Sequence, residues 1–299
     1  MKAYLVFFLI KIVLLYLPFN CLAQVQKKMI EEGLLIKQGF ASSAFPVTLR
    51  KLGYDYKNQH YNALKHYNDS TVLIYIPKYF KSTEKVDLVF HFHGWYNNVD
   101  SVISQFNLIE QFFRSGKNAL LILPQGPKNA PDSYGGKLEN KEQFQKLTSE
   151  LLSFLRNEDI INSMQLGNII LSGHSGAYRV MAYILMQGGL TANIKEVLLF
   201  DGLYSQQEKF TWWIAKQKGR LTNIYTDDGG TFENSKNFAL ALDAWNVPAV
   251  HIKEKDLKDF LNGKYQVRSV YSPMDHNDVI HKNRNFELLI KYSTFLKSD

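Results

Sequence analysis

Seven short runs of β-branched, aliphatic and aromatic residues, at 70–75, 86–93, 119–123, 168–172, 196–200, 221–226 and 267–271, alternate with longer segments of helical period. Most are near-continuous apolar runs, as strands buried on both faces must be. Between them Val102, Phe106, Ile109, Phe112 and Phe113 recur at helical spacing, as do Phe144, Leu147, Leu151, Phe154 and Leu155, so each helix has one buried stripe. The alternation predicts an α/β chain, a mostly parallel central sheet with helices on both faces. Residues 24–69 read as an amphipathic helix around 28–37 followed by turns or edge strands. Residues 247–266 fit no part of the alternation and read as a small surface insertion. No linker, repeat or low-complexity tract interrupts residues 24–299, which read as one domain.

The first 23 residues, MKAYLVFFLIKIVLLYLPFNCLA, begin with a lysine, run apolar, break at Pro18 and end with small residues at the positions a signal peptidase reads. This is a secretory signal-peptide pattern with cleavage expected after Ala23. Lys11 divides the apolar run into halves well short of the roughly 20 residues that a membrane span needs, which argues against an anchor. Phe19-Asn20 lacks the small residues expected before a lipidated Cys21. The expected location is secreted or periplasmic, without membrane insertion after cleavage.

Cys21 is the only cysteine in 299 residues, which excludes a disulfide framework and a thiolate zinc cluster. The 45% hydrophobic content must therefore supply a core by itself. The 35 basic and 28 acidic residues are interspersed, and the formal charge of +7 falls to +5 without the leader, which carries Lys2 and Lys11 but no acid. That balance gives no reason to expect nucleic acid as a partner.

Chemistry is concentrated where the apolar run from Asn168 enters Gly173-His174-Ser175-Gly176-Ala177, followed by Val180, Met181, Ile184 and Leu185 on one helical face. A tight strand-to-helix turn lifts a serine hydroxyl clear of the sheet, and small neighbours let the backbone approach a substrate. The pattern is G-x-S-x-A rather than G-x-S-x-G, and alanine is the mildest departure a small-residue position allows. The bland alternative is an ordinary turn with a capping serine. A second loop, His91-Phe92-His93-Gly94-Trp95, closes another apolar run. His91 and His93 alternate as zinc ligands can, but no further ligand follows in Tyr96-Asn97-Asn98, so no metal or other cofactor is expected.

With these two loops the chain resembles the α/β-hydrolase family over roughly residues 70–296. More narrowly, HFHGW, PQGPKNAPDSYGGKLE, GHSGAYR and LLFDGLY are similar to a group of bacterial exported hydrolase-like proteins. The resemblance implies Ser175 as nucleophile and an oxyanion hole from the N–H groups of Trp95 and Gly176, with Gly94 letting the backbone turn. It also implies the order serine, acid, histidine. His276, in Ser272-Pro-Met-Asp-His-Asn-Asp278 after the last run, is the expected base, ahead of His281 and His251. Asp201, directly after the run 196–200, is the preferred acid, with Asp228 and Asp227 as alternates in a segment whose composition also suits a plain turn.

About fifteen residues separate Tyr204 from Arg220, room for one helix and little or no lid, so an open site and a large or polymeric ester substrate are expected. His93, Tyr96, Asp132 and Tyr178 are the candidate substrate-binding residues, with Tyr134, Trp212, Trp213 and Lys137 nearby in the loops. The expected activity is hydrolysis of carboxylic esters, carbohydrate-linked ones included, through a Ser-His-Asp triad and an acyl-enzyme. The competing readings are a peptidase or cell-wall amidase on the same residues, and a catalytically silent binding module.

Overall fold

The computed structural model describes residues 25–299; the leader expected at 1–23 lies outside the described residues. In chain order the strands are β1 (Gln26–Ile30), β2 (Gly33–Gly39), β3 (Tyr54–Tyr56), β4 (Gln59–Tyr61), β5 (Thr71–Pro77), β6 (Lys85–Phe92), β7 (Leu120–Pro124), β8 (Gln165–His174), β9 (Ile194–Phe200), β10 (Arg220–Tyr225), β11 (Ala249–Lys253) and β12 (Val267–Tyr271). The α-helices are α1 (Ala63–His66), α2 (Val99–Gln105), α3 (Leu108–Arg114), α4 (Gln143–Asn157), α5 (Tyr178–Gln187), α6 (Gln207–Gln217), α7 (Phe232–Ala244) and α8 (Asn285–Lys291).

Ten strands form one sheet in the order β1-β2-β5-β7-β6-β8-β9-β10-β12-β11, and β3 pairs with β4 apart from it. The strands from β7 to β11 in that order run parallel, while β1, β2 and β5 join antiparallel at the other edge. Both faces are covered. Helices α4 to α7 pack on one through residues such as Phe144, Met181, Trp213 and Phe238, and α2, α3 and α8 on the other through Val102, Phe112 and Phe286. Successive residues of β8 serve opposite cores, Ile169 and Leu171 the first and Ile170 the second. This is why the central strands read as unbroken apolar runs.

All seven apolar runs lie on strands of this sheet, and three local readings are corrected. The segment 28–37 is a β-hairpin, with Ile30 paired to Gly33 across the two-residue connection Glu31-Glu32. Its apolar residues suit either period, and pairing of β2 with β5 decides for strand. Within 247–266 lies the edge strand β11, parallel to β12. The stripe 102–113 belongs to two helices, because Asn107 takes a left-handed φ of 50° and breaks the helix between α2 and α3.

Candidate active site

The parallel strands β6, β8, β9, β10 and β12 all deliver their carboxyl ends to one edge of the sheet, and the chemistry-bearing residues gather there. Strand β8 is buried from Ile169 to His174 and hands over to Ser175, which stands half-buried at φ 55° as the first residue of a single 3₁₀ turn leading into α5. A left-handed, non-glycine residue is a strained conformation held by its surroundings. Beside it, the loop after β6 comes so close that a Cβ on Gly94 would lie 2.6 Å from Ser175 Cβ and 3.2 Å from its Oγ. Only glycine fits there. The Tyr96 N–H donates to the Ala130 carbonyl at 3.0 Å, and Asn98 caps α2 by accepting from the N–H groups of Asp100 and Ser101, so the loop is pinned at both ends. Trp95 lies across Gly176, with its indole N–H donating to Ser133 Oγ at 2.7 Å.

Asp201 follows β9 at φ 45°, its N–H tied to the Ile224 carbonyl at 2.7 Å, and its carboxylate is fully buried. Oδ2 accepts from His276 Nδ1 at 2.6 Å and from Thr226 Oγ1 at 2.8 Å; Oδ1 accepts from the Thr226 N–H at 3.1 Å and from the Thr231 hydroxyl. Burial alone would raise this carboxyl, but the hydrogen bonds from His276, Thr231 and Thr226 outweigh it and hold Asp201 below its ordinary range. The carboxylate fixes His276 with its proton on Nδ1, which leaves Nε2 as the acceptor nitrogen. His276 and Ser175 line the same cavity of about 530 Å³, together with Trp95, Tyr96, Asn97, Gln105, His174, Tyr204 and Asn277. A smaller cavity of about 200 Å³ also reaches Ser175 and is lined by Trp95, Ser133, Gly176, Tyr178 and Tyr204 as well.

No protein-family model and no curated protein matches this sequence. Solved structures do match by shape. A serine-to-alanine mutant of the feruloyl esterase module from Clostridium thermocellum, complexed with sinapinate, superposes with a TM-score of 0.54 at 10% identity, covering 87% of this chain and 88% of that one. The structure of a protein named FAE superposes with a TM-score of 0.55 at 11% identity, covering 88% of this chain and 89% of that one. The fluorophosphonate-binding serine hydrolase F of Staphylococcus aureus gives 0.51 at 10% identity over 88% and 99%. The chain has the α/β-hydrolase fold.

In this α/β-hydrolase fold the segment from Tyr204 to Arg220 holds α6 and no further covering element. The two alternate aspartates are elsewhere engaged or exposed: Asp227 accepts from the Tyr271 hydroxyl at 2.6 Å, and both Asp227 and Asp228 lie on the surface. His281 donates from Nδ1 to the Asn277 carbonyl at 3.1 Å, and His251 sits on the edge strand β11.

Of the candidate substrate-binding residues, Tyr96 and Tyr178 line the two cavities, whereas His93 and Asp132 are turned inward. His93 donates from Nδ1 to the Gly94 carbonyl at 2.8 Å, and its Nε2 accepts from the Gly126 N–H at 3.0 Å and from Gln125 at 2.8 Å. Both nitrogens are used by protein, and burial lowers this ring to about 4, so it is a neutral strut beneath the Gly94 turn. Asp132 accepts from Arg50 Nε at 2.8 Å and from the Tyr134 N–H at 2.9 Å, a buried ion pair that secures the neighbouring loop. Lys137 donates to the Ala41 carbonyl at 2.7 Å, and Trp213, on the inner face of α6, is fully buried.

Four residues beside the site escaped sequence reasoning. His174 is buried, with its ring centre 4.6 Å from that of His276, and it donates from Nε2 to the His276 backbone carbonyl at 2.9 Å. Burial, then the neighbouring His276, lowers it to about 4, so it stays neutral. Thr226 and Thr231 hold Asp201, and Tyr204 stands where the two cavities meet. The sequence signals for these are the position of His174 inside the G-x-S motif and that of Tyr204 at the end of LLFDGLY; the two threonines have none.

Proposed function

We propose that this chain is an exported serine hydrolase of carboxylic esters, with Ser175 as nucleophile, His276 as base and Asp201 as the acid of the triad. The observation that carries the reading is the 2.6 Å hydrogen bond from His276 Nδ1 to the fully buried Asp201, on a loop that shares a cavity with Ser175. In the scheme, Ser175 Oγ attacks the ester carbonyl carbon while its proton passes to His276 Nε2. The resulting oxyanion takes hydrogen bonds from the N–H groups of Trp95 and Gly176 at the positive end of α5. Collapse breaks the bond to the alcohol oxygen, which receives the proton from His276. Water then adds to the acyl-enzyme, yields its proton to His276 and releases the acid, restoring Ser175.

Support for an ester rather than an amide is at the level of fold, since solved esterases share it. The apolar leader with its small-residue terminus supports export, and among the described residues no helix is long and apolar enough to cross a membrane. A fluorophosphonate probe tests the reading. Covalent labelling that disappears in Ser175→Ala is expected, and a folded wild-type protein that stays unlabelled at neutral pH would refute it.

A further inference from the structure

The two cavities that meet at Ser175 differ in chemistry, and the direction of acyl transfer assigns them. The leaving alcohol oxygen must come within reach of the imidazole that protonates it, while the acyl substituent projects from the other side of the carbonyl carbon. His276 borders the cavity of about 530 Å³ and does not border the one of about 200 Å³. The alcohol therefore occupies the larger cavity and the acyl chain the smaller, with Tyr204 and Trp95 on the boundary between them. This assignment rests on the serine-esterase reading.

The wall of the larger cavity contains no aliphatic side chain and no lysine, arginine, aspartate or glutamate. Beyond Ser175 and His276 it is lined by the rings of Trp95, Tyr96, His174 and Tyr204 and by the amides of Asn97, Gln105 and Asn277. Asn97 Oδ1 accepts from Ser101 Oγ at 3.2 Å, which orients this half-buried amide and leaves its NH₂ as the remaining donor. Gln105 and Asn277 are exposed, and Tyr96 is 55% exposed. A hydrocarbon alcohol would find no aliphatic surface here, and a charged alcohol no counter-charge. A neutral ring carrying many hydroxyls would find the Asn97 amide as a donor, the Gln105 and Asn277 amides as donors and acceptors, and aromatic faces to rest on. The volume lies within the range of about 300–1,000 Å³ usual for ligand sites. We infer that this cavity is a leaving-group subsite for a hydroxyl-rich, sugar-like alcohol, with Asn97, Gln105, Asn277 and Tyr96 setting the preference.

Acetate esters share one acyl-enzyme, so differences among them report the alcohol side alone. The wild type should prefer 6-O-acetylglucose and monoacetylglycerol to ethyl acetate in kcat/KM by about tenfold or more, because amides placed for hydroxyl groups discriminate against an alcohol that lacks them. The double variant Gln105→Ala/Asn277→Ala should narrow that ratio about tenfold. Equal kcat/KM for all three acetates, or a ratio unchanged in the double variant, overturns the proposal. Binding is read separately in Ser175→Ala by NMR titration with methyl glucoside. Saturable binding that weakens with the same two substitutions supports the subsite even if no ester is turned over, in which case the esterase reading alone fails. Absence of saturable binding together with absence of an acetate preference rejects the subsite, and fluorophosphonate labelling of Ser175 then shows whether the esterase reading survives.

Discussion

His276 Nδ1 and Asp201 Oδ2 lie 2.6 Å apart although 75 positions separate them in the chain. The contact depends on the left-handed turn at Asp201, which swings its carboxylate under the loop after β12, and on Thr226 and Thr231, which occupy its other lone pairs. Asp201→Asn keeps the size of the side chain but can present an amide donor to Nδ1, which favours the wrong tautomer of His276. On 4-nitrophenyl acetate kcat should fall by about 10⁴. Asp228→Asn, on the surface, should change it by no more than about twofold. The reverse pattern in steady-state kinetics would move the acid to Asp228.

Gly229 is the second point at which this pair is exposed to a single change. A Cβ there would stand 1.6 Å from Asp201 Oδ2 and 2.5 Å from His276 Nδ1. Its N–H donates to Thr226 Oγ1 at 3.0 Å and its carbonyl accepts from the Tyr204 hydroxyl, so the backbone cannot retreat without releasing both. Gly229→Ala should lower kcat by about 10² or more, since an ångström of misplacement is worth that much. Circular dichroism should remain native. A variant with a third or more of wild-type activity would show that the turn yields and the pair does not.

Much of the sheet was legible because a strand buried on both faces must be apolar throughout, as 86–93 and 168–172 are. The edges were not, because an edge strand is partly solvated and its pattern is diluted: Lys27-Lys28-Met29-Ile30 and Val250-His251-Ile252-Lys253 pair through backbone hydrogen bonds that side chains hardly specify. At the candidate site, the position of Ser175 and His276 after strands was legible, and the two line one cavity. Asp201, Asp227 and Asp228 all follow strands at the same edge, and which one meets His276 is decided by long-range contacts with two threonines. His93 and Asp132 are residue types able to bind a polar substrate, and only the path of the chain shows that both are turned inward.

His174 is predicted to act on turnover by positioning His276. Its Nε2–H donates to the His276 carbonyl at 2.9 Å from a ring wedged between Phe106 and His276, at centroid distances of 5.0 and 4.6 Å. His174→Phe keeps an aromatic ring and removes the donor. The histidine loop should lose its register, and kcat should fall by about 10- to 100-fold while KM shifts only a few-fold. The rate of fluorophosphonate labelling at Ser175 should fall in parallel, a readout that lost packing alone would not move. Labelling at the wild-type rate would reduce His174 to a core residue.

Acid stability gives the last prediction. Burial lowers His91 to about 3 and His93 and His174 to about 4, from an ordinary 6.5. A folded-state value below the unfolded one means that the unfolded chain binds the extra proton first. The stability these rings contribute is therefore complete above pH 6.5 and drains away as the pH falls toward 4. At pH 5 each neutral, buried ring should cost about 2 kcal/mol relative to pH 7. Asp201 is held below its ordinary 3.8, so its own contribution is lost only at more acid pH and does not mask the slope. Urea unfolding at pH 7, 6 and 5 should give a steep fall, and His91→Asn, whatever it costs at pH 7, should flatten that fall by about one third. A wild-type stability that stays level from pH 7 to 5 would mean that the three rings take up protons while folded.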